Sequence, residues 1–244
     1  MQTNIQKDSN PDEWILRNCW ECGNEFESRI YTDCGSRRYQ ELCKECWNDE
    51  KQKNYEQKQE HWKEEVKRLR AERCETQWLK VCRPLYRNTD INRLPKDQYK
   101  KAMSWEYGPK GLLLHGPTGT GKTRIALQVL KVINDQDIVI SAFDSTDFVN
   151  ICASKFMDGS GNKWIQSLIE VPMLFIDDMG NEPSGERGAG ELFHVIKRRG
   201  EEELPIIITT NSVGKELAGK LKGPEDRGSA MVRRLREFCD TIAF

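Results

Sequence analysis

A glycine-rich stretch, GPTGTGKTR from Gly116 to Arg124, constrains the fold of this chain more than any other feature. It follows the apolar run LLLH and precedes the amphipathic segment TRIALQVLKVI, so it joins a strand to a helix. Residues 116–123 match G-x-x-x-x-G-K-[ST] at every fixed position. Glycines let the backbone curl until its N–H groups face phosphate, and the helix N-terminus adds positive potential. The stretch therefore predicts a nucleoside triphosphate site.

The same stretch supplies the predicted contacts to the nucleotide. Lys122 is expected to reach the β- and γ-phosphates, and Thr123 to offer its hydroxyl to Mg²⁺. The other predicted cofactor-binding residues are Gly116, Pro117, Thr118, Gly119, Thr120, Gly121 and Arg124. Because a strand and a helix flank the motif, a chance glycine-rich turn is a poor alternative.

Two further apolar runs end in polar residues that suit the same site. LFIDD ends in Asp177 and Asp178, and IIITTN ends in Asn211. Ligands of open α/β sheets bind at the carboxyl ends of the strands, so Asp177 is predicted to hold Mg²⁺, directly or through water. Asp178 is predicted to orient the attacking water, and Asn211 to sense the γ-phosphate. For Asn211 the alternative is an Asx turn that ends the strand.

Apolar runs that alternate with amphipathic segments define the rest of the main domain. The runs are LLLH, IVISAF, VPMLFIDD and LPIIITTN, and segments such as GELFHVIKRRGEEE lie between them. Continuous apolar strands that alternate with helices are typical of a parallel sheet covered on both faces. The predicted fold is therefore an α/β P-loop domain, and a length of 244 residues leaves room for one smaller domain.

Five of the nine cysteines lie in a short N-terminal region. Cys19 and Cys22 form one C-x-x-C pair, and Cys43 and Cys46 form a second pair after twenty intervening residues. Each pair can aim two thiolates at one tetrahedral ion, so the four residues predict a structural zinc site. Redox chemistry and inert thiols are the alternatives, and Cys34 between the pairs leaves another choice of fourth ligand open. Zinc would also stabilise a segment too small for a core.

Composition divides the chain into three parts and limits its functions. Residues 1–48 form the predicted zinc-binding domain, residues 49–82 a charged helical linker, and residues 83–244 the ATPase domain. No apolar run reaches the roughly 18 residues that a membrane span needs, and the N-terminus lacks the apolar segment of a secretion signal. We therefore expect a cytoplasmic protein. The net charge of −1 gives a nucleic-acid partner no support from bulk electrostatics.

The linker carries sparse apolar residues at helical spacing. Tyr55, Trp62, Val66 and Leu69 suit one narrow stripe on a helix. A solvated linker helix is the simpler interpretation, and a coiled-coil surface for a partner is the alternative.

Four arginines crowd the C-terminal segment DRGSAMVRRLREF, namely Arg227, Arg233, Arg234 and Arg236. A guanidinium suits the charge on a transferring phosphoryl group, and a neighbouring subunit can supply it. The candidates for this role are Arg227, Arg233 and Arg234. A solvated helix face and contacts to a DNA backbone are the alternatives.

Residues 83–244, approximately, resemble the AAA+ ATPases of the DnaC and IstB type. The segments that carry this resemblance are GPTGTGKT, LFIDDMGNEP, LPIIITTN and the closing RRLREFCDTIAF. The roles that this resemblance implies are Walker A for Lys122 and Thr123, Walker B for Asp177 and Asp178, and sensor 1 for Asn211. Asp178 stands where most AAA+ enzymes carry Glu. The N-terminal region is similar to the four-cysteine zinc module of some phage-encoded members.

The resemblance implies an oligomer, switched by ATP and Mg²⁺, that acts on a replicative helicase and grips single-stranded DNA. In this clade, residues 143–170 hold an extra helix that faces DNA or a neighbour, which makes Lys155 and Lys163 candidate contacts, with plain solvent exposure as the alternative. The predicted function is an ATP-dependent helicase loader. The alternatives are a transposase helper on duplex DNA and an adaptor with negligible turnover. A small-molecule kinase would need substrate and lid motifs that the sequence lacks.

Overall fold

The computed structural model describes residues 14–33, 36–180, 186–221 and 227–244. The chain divides into two compact units, Met1–Arg68 and Leu69–Phe244. Cys34, the alternative zinc ligand, lies outside the described residues.

The first unit contains a small antiparallel sheet. Its strands are β1 (Trp14–Asn18), β2 (Glu25–Asp33) and β3 (Ser36–Tyr39), in the order β1-β2-β3. Cys19 and Ser28 are the buried residues in the described part of this unit. The Ser28 hydroxyl accepts from the N–H of Gln40 at 2.8 Å. Since so little apolar surface is buried, the sheet needs another source of stability.

A single helix, α1 (Lys44–Val81), follows this sheet and runs for 38 residues. Its sequence lacks Gly and Pro, so no residue type within it breaks the helical hydrogen bonds. The apolar stripe predicted from the sequence, Tyr55, Trp62, Val66 and Leu69, is exposed.

The C-terminal part of α1, residues 69–81, belongs to the second unit. The Gln77 side chain accepts from the N–H of Ile140 at 3.2 Å, and Arg73 pairs with Asp137. These contacts join the end of the helix to one strand of the main sheet, at Ile140, and to the turn before that strand, at Asp137. The domain boundary at residue 82 stays a prediction, but the described contacts extend the second unit back to residue 69.

Five strands form the main sheet: β4 (Gly111–His115), β5 (Ile140–Asp144), β6 (Met173–Met179), β7 (Ile206–Thr210) and β8 (Cys239–Ala243). Their order is β5-β6-β7-β4-β8, and every neighbouring pair is parallel. Strands β4, β6 and β7 are almost wholly buried because helices cover both faces. The predicted parallel α/β sheet is confirmed.

The helices of the second unit lie on both sides of this sheet. They are α2 (Pro84–Arg87), α3 (Lys96–Met103), α4 (Lys122–Asp135), α5 (Ser145–Met157), α6 (Gly161–Glu170), α7 (Glu186–Glu201), α8 (Gly214–Lys220) and α9 (Arg227–Phe238). Successive strand residues point to opposite faces, so Ile206 and Ile208 join one core whereas Ile207 joins the other. Within the described ranges, no helix is both long enough and apolar enough to cross a membrane.

One buried arginine joins three elements at the amino ends of β6 and β7. Arg199 on α7 is fully buried, and its Nη1 donates to the carbonyl oxygens of Leu168, Ile169 and Val171 at 2.9, 2.9 and 2.7 Å. Its Nη2 donates to the carbonyl oxygen of Pro205 at 2.5 Å. Burial lowers the pKa of Arg199 to about 10, so the guanidinium stays charged at neutral pH. It therefore caps the end of α6 and ties it to the start of β7.

Candidate nucleotide and metal sites

The glycine-rich stretch forms a loop between β4 and the N-terminus of α4, as the sequence predicts. Gly119 and Gly121 have φ angles of 81° and 95°, which other residues rarely adopt. A Cβ on Gly116 would lie 2.7 Å from the carbonyl oxygen of Phe244, which follows β8. The loop therefore needs glycine both for its backbone conformation and for close packing. The N-terminus of α4 adds positive potential where phosphate would bind.

Lys122, the first residue of α4, has its ammonium group held against this loop. The residue is buried. Its Nζ donates to the carbonyl oxygens of Gly116 and Pro117 and to Oδ1 of Asn211, each at 2.8 Å. Burial lowers the pKa of Lys122, and the charges of Asp178 and Asp177 oppose that shift. All three donors of the ammonium group are thus engaged.

The two predicted acids lie at the carboxyl end of β6. Asp177 Oδ1 accepts from the hydroxyls of Thr123 at 2.8 Å and Thr209 at 2.5 Å. Asp178 Oδ1 accepts from Asn211 Nδ2 at 2.5 Å. Burial raises the pKa of Asp177, and the two hydroxyl bonds oppose that shift. The structure thus connects the predicted residues Lys122, Thr123, Asp177, Asp178 and Asn211 through hydrogen bonds at one end of the sheet.

A bulge explains how both acids reach the same space. The pairing of β6 with β7 shifts register between Ile176 and Met179, and Asp178 has a left-handed φ of 56°. In a regular strand, neighbouring side chains point to opposite faces, yet Asp177 and Asp178 line one cavity. Asp and Asn tolerate the left-handed region better than other residues with a side chain. The residue type at position 178 therefore suits its backbone as well as its chemistry.

A cavity of about 630 Å³ opens beside these residues. It is lined by residues 118–124, by Asp144, Asp177 and Asp178, and by Thr209 and Asn211. The segment before β4 contributes Arg83, Tyr86, Asn88, Asp90, Arg93 and Leu94 to the lining. A cavity of this size suits a nucleotide.

Sequence patterns do not identify residues 83–94 as part of the site. Arg124 connects them to the loop, because its guanidinium lies 5.2 Å from the ring centroid of Tyr86 and its Nη1 donates to Thr89 Oγ1 at 3.0 Å. This segment has no motif of fixed spacing. Asp144 is also missing from the prediction, although it ends β5 directly beside Asp177 in the strand register. The rule that ligands bind at strand ends would have found it.

Among the candidate arginines whose side chains are described, Arg233 and Arg234, neither lies at the cavity of its own chain. Arg227 begins α9, but its side chain lies outside the described part. Arg233 is 71% exposed and lies 3.6 Å from Glu237, whereas Arg234 is 28% exposed and lies 3.8 Å from Glu201. Neither Arg233 nor Arg234 is among the described residues that line the cavity. They are therefore candidates for contact with a neighbouring subunit only.

The four cysteines of the two C-x-x-C pairs come together in the first unit. The sulfur atoms of Cys19, Cys22, Cys43 and Cys46 all lie within 4.8 Å of one another, and those of Cys22 and Cys43 are 3.8 Å apart. Zinc–sulfur bonds of about 2.3 Å at tetrahedral angles place sulfur atoms about 3.8 Å apart. The cluster could therefore hold a zinc ion.

Backbone hydrogen bonds within the cluster favour the ionised form of one thiol, that of Cys19. The N–H of Cys43 donates to Cys19 Sγ at 3.3 Å. Hydrogen bonds from the backbone of Cys22 and Cys43 lower the pKa of Cys19 to about 6, whereas the Cys43 side chain raises the pKa of Cys46. Full ionisation of four adjacent thiols needs a cation. The remaining described cysteines, Cys74, Cys82, Cys152 and Cys239, are buried elsewhere.

Fold and site together define the class of the protein as an AAA+ nucleotide-binding domain, and solved structures of that kind share its fold. A structure of DnaI has a TM-score of 0.53 at 21% identity, covering 68% of this chain and 92% of that one. A structure of the DnaC helicase loader has a TM-score of 0.51 at 21% identity, covering 68% and 98%. AMPPCP-bound DnaA from Aquifex aeolicus has a TM-score of 0.52 at 22% identity, covering 66% and 50%.

The sequence narrows this class to one family. Residues 48–244 match the model of the IstB-like ATP binding protein family, and the chain belongs to this family. An ATP-binding protein of an insertion sequence in Mycobacterium tuberculosis is 23% identical over 123 residues, which cover 50% of this chain and 49% of that protein. The replication factor C large subunit of Archaeoglobus fulgidus is 28% identical over 155 residues, covering 59% and 29%. The chain thus spans half or less of the length of these two relatives. The match over residues 48–244 confirms the predicted IstB-type family.

Proposed function

We propose that this protein is an ATP-dependent helicase loader, which uses ATP binding and hydrolysis to load or remodel a replicative DNA helicase on single-stranded DNA. The observation that carries the proposal is the link from Lys122 through Asn211 to Asp178, with bonds of 2.8 and 2.5 Å. A bound phosphate group would compete with Asn211 for the ammonium group of Lys122. Because Asn211 also holds Asp178, the nucleotide state and the position of the Asp178 carboxylate would be coupled. This coupling suits a switch. The fold shared with the DnaC helicase loader supports the choice of partner.

In this proposal, each side chain of the site has its own role in hydrolysis. Lys122 and the N–H groups of the loop bind the β- and γ-phosphates, and Asp178 orients the attacking water. Thr123 and Asp177 would hold Mg²⁺, which supplies positive charge to the transferring phosphoryl group. Asn211 contacts the γ-phosphate. The remaining proposed nucleotide contacts are Gly116, Pro117, Thr118, Gly119, Thr120, Gly121 and Arg124.

A neighbouring copy of the chain supplies an arginine in this proposal. Arg233 is the better candidate because its side chain is 71% exposed. Arg234 is less accessible, since it packs beside Glu201 within its own chain. A homo-oligomer through the ATPase domain follows, with each cavity completed by the next subunit.

The chain is proposed to work as three parts. Residues 1–48 form a zinc-binding module that contacts the partner, residues 49–82 form a helical linker, and residues 83–244 form the ATPase. Four thiolates leave zinc no open position, so the metal would have a structural role. A cytoplasmic location follows from the proposed partners.

A transposase helper that binds duplex DNA is the second candidate. One observation favours it, namely that the relative from Mycobacterium tuberculosis belongs to an insertion sequence. Preference for duplex over single-stranded DNA, together with stimulation of a transposase, would select this function. Nucleotide-dependent partner binding without turnover would select the adaptor instead.

A pull-down of the full chain against a replicative helicase, with ATP and with ADP, tests the proposal. We expect helicase retention to differ between the two nucleotides, and Lys122→Ala to remove that difference. Lys110→Ala is the matched control, because Lys110 is an exposed lysine outside the cavity lining. The proposal is wrong if the protein hydrolyses no ATP with or without single-stranded DNA while Lys122→Ala leaves helicase binding unchanged.

A further inference from the structure

One buried hydroxyl on β7 contacts both acids of the site. Thr209 is 1% exposed. Its Oγ1 donates to Oδ1 of Asp177 at 2.5 Å and accepts from the N–H of Asp178 at 2.8 Å. A hydroxyl has one donor and two acceptor positions, so a single side chain satisfies both contacts. Thr209 also lines the cavity.

The contact lies where β6 is irregular. The register between β6 and β7 shifts between Ile176 and Met179, and Asp178 adopts a left-handed backbone. A bulge leaves a strand N–H without its regular ladder partner, and a buried N–H needs another acceptor. The Thr209 hydroxyl is that acceptor for Asp178. It therefore supports the backbone that turns both acids to one cavity.

The same hydroxyl also restrains the Asp177 carboxylate. Two hydroxyls, those of Thr123 and Thr209, converge on Oδ1 of Asp177 from different elements. Thr123 lies in the first turn of α4, beside the nucleotide loop, whereas Thr209 lies in the buried strand β7. Partners of this kind orient metal-binding carboxylates in many proteins.

We infer that Thr209 is a positioning residue of the nucleotide site: its hydroxyl orients Asp177 for the metal ion that accompanies ATP and holds Asp178 in the bulged backbone. This inference rests on the proposed ATPase function. The sequence does not point to Thr209, since a threonine in an apolar strand is common.

Thr210, the next residue, provides a matched control. It is also buried, but its hydroxyl donates to the carbonyl oxygen of Met179 at 2.7 Å and contacts neither carboxylate. Thr210→Val therefore removes a buried hydroxyl from the same strand without touching Asp177 or Asp178. Any general cost of losing such a bond appears in both variants.

The test measures the affinity of the full chain for Mn²⁺ in the presence of ADP by isothermal titration calorimetry. We expect Thr209→Val to weaken Mn²⁺ binding by about 10–100-fold, the usual effect of removing an outer-shell partner, and Thr209→Ser to restore it. Thr210→Val should leave Mn²⁺ affinity unchanged. The inference is overturned if Thr209→Val binds Mn²⁺ as tightly as the natural protein, or if Thr210→Val shows an equal loss.

Two further measurements separate this inference from the proposed function. If Thr209→Val does not fold, Thr209→Cys keeps the size of the side chain with a weaker donor, and equal Mn²⁺ affinity of the Cys and Ser variants overturns the inference. Steady-state hydrolysis of ATP by the natural protein tests the function itself. Loss of Mn²⁺ affinity in Thr209→Val without any hydrolysis by the natural protein would support the positioning role and contradict the ATPase.

Discussion

At the scale of single residues, Asp178 has a left-handed backbone, and in the proposed mechanism its carboxylate orients the attacking water. Asp178→Asn loses the carboxylate but keeps the backbone conformation, because Asn tolerates the left-handed region. The Asn side chain can also still accept the hydrogen bond from Asn211. We expect kcat for ATP hydrolysis to fall by roughly 10²–10⁴-fold, the usual contribution of a positioned general base. Nucleotide affinity and the melting temperature should stay close to those of the natural protein.

Asp178→Val is the contrasting variant at this position. A β-branched residue in the left-handed region costs about 1–3 kcal/mol, so this variant should melt at a lower temperature whereas Asp178→Asn should not. Undiminished turnover in Asp178→Asn would remove Asp178 from the proposed mechanism.

Residues with chemistry tied to a fixed spacing are the ones that the sequence predicts. Lys122 and Thr123 follow from the glycine motif, and Asp177 and Asp178 follow from the end of an apolar strand. The sequence does not predict a role for Thr209, because threonine is a common residue in strands. The sequence does not predict residues 83–94 as part of the site either, since they line the cavity only in the folded chain.

At the scale of elements, we expect the first unit to depend on its four clustered cysteines for stability. The purified full chain should contain about one zinc ion, and Cys43→Ser should lower that content and make residues 14–46 sensitive to protease. The physical reason is that the described part of this sheet buries few residues, so metal binding and folding should be coupled. Metal analysis and limited proteolysis check both outcomes.

Cys74→Ala is the matched control for the zinc prediction. Cys74 is buried in the second unit and is not part of the four-sulfur cluster, so zinc content should not change. A chain that contains no zinc, or a Cys43→Ser variant whose N-terminal region resists protease normally, would contradict the zinc assignment.

Another element-scale prediction concerns Arg199, which holds α6 against the amino ends of β6 and β7. Arg199→Met would leave the carbonyl oxygens of Leu168, Ile169 and Val171 without their donor. Each buried carbonyl oxygen left without a donor costs about 1–3 kcal/mol, so the free energy of unfolding should fall by about 3 kcal/mol or more, which urea unfolding would measure. Arg198→Met, on the same helix but 44% exposed, should change the free energy of unfolding by less than about 0.5 kcal/mol. Equal effects of the two variants would show that the buried bonds add no stability.

Strands and helices of the main sheet could be predicted because their apolar periodicity is strong. Runs such as LPIIITTN carry no competing signal, and the sheet confirms them. The relation of α1 to the ATPase unit could not be predicted in the same way. Its charged composition is uniform, and contacts such as those of Gln77 and Arg73 reveal that its last turns pack within the second unit.

At the scale of the whole molecule, the proposed oligomer requires that one chain complete the site of the next. We expect Lys122→Ala to abolish nucleotide binding in its own cavity, whereas it keeps every arginine of α9. Arg233→Ala keeps the cavity but loses the exposed guanidinium. If arginine acts between subunits, each variant alone should hydrolyse ATP poorly, because the first lacks substrate and the second lacks charge stabilisation worth about 10³–10⁵ in kcat.

A mixture of the two variants distinguishes an arginine that acts between chains from one that acts within its own. In mixed oligomers, Arg233 of a Lys122→Ala chain can contact phosphate in the intact cavity of an Arg233→Ala neighbour. Turnover should therefore exceed the sum of the separate variants and should rise with the fraction of mixed interfaces. Arg234→Ala is the matched comparison, because that side chain is only 28% exposed beside Glu201; its mixture with Lys122→Ala should give no such gain. Recovery with Arg234→Ala instead of Arg233→Ala would reassign the role, and recovery with neither would mean that no arginine of these two acts between subunits.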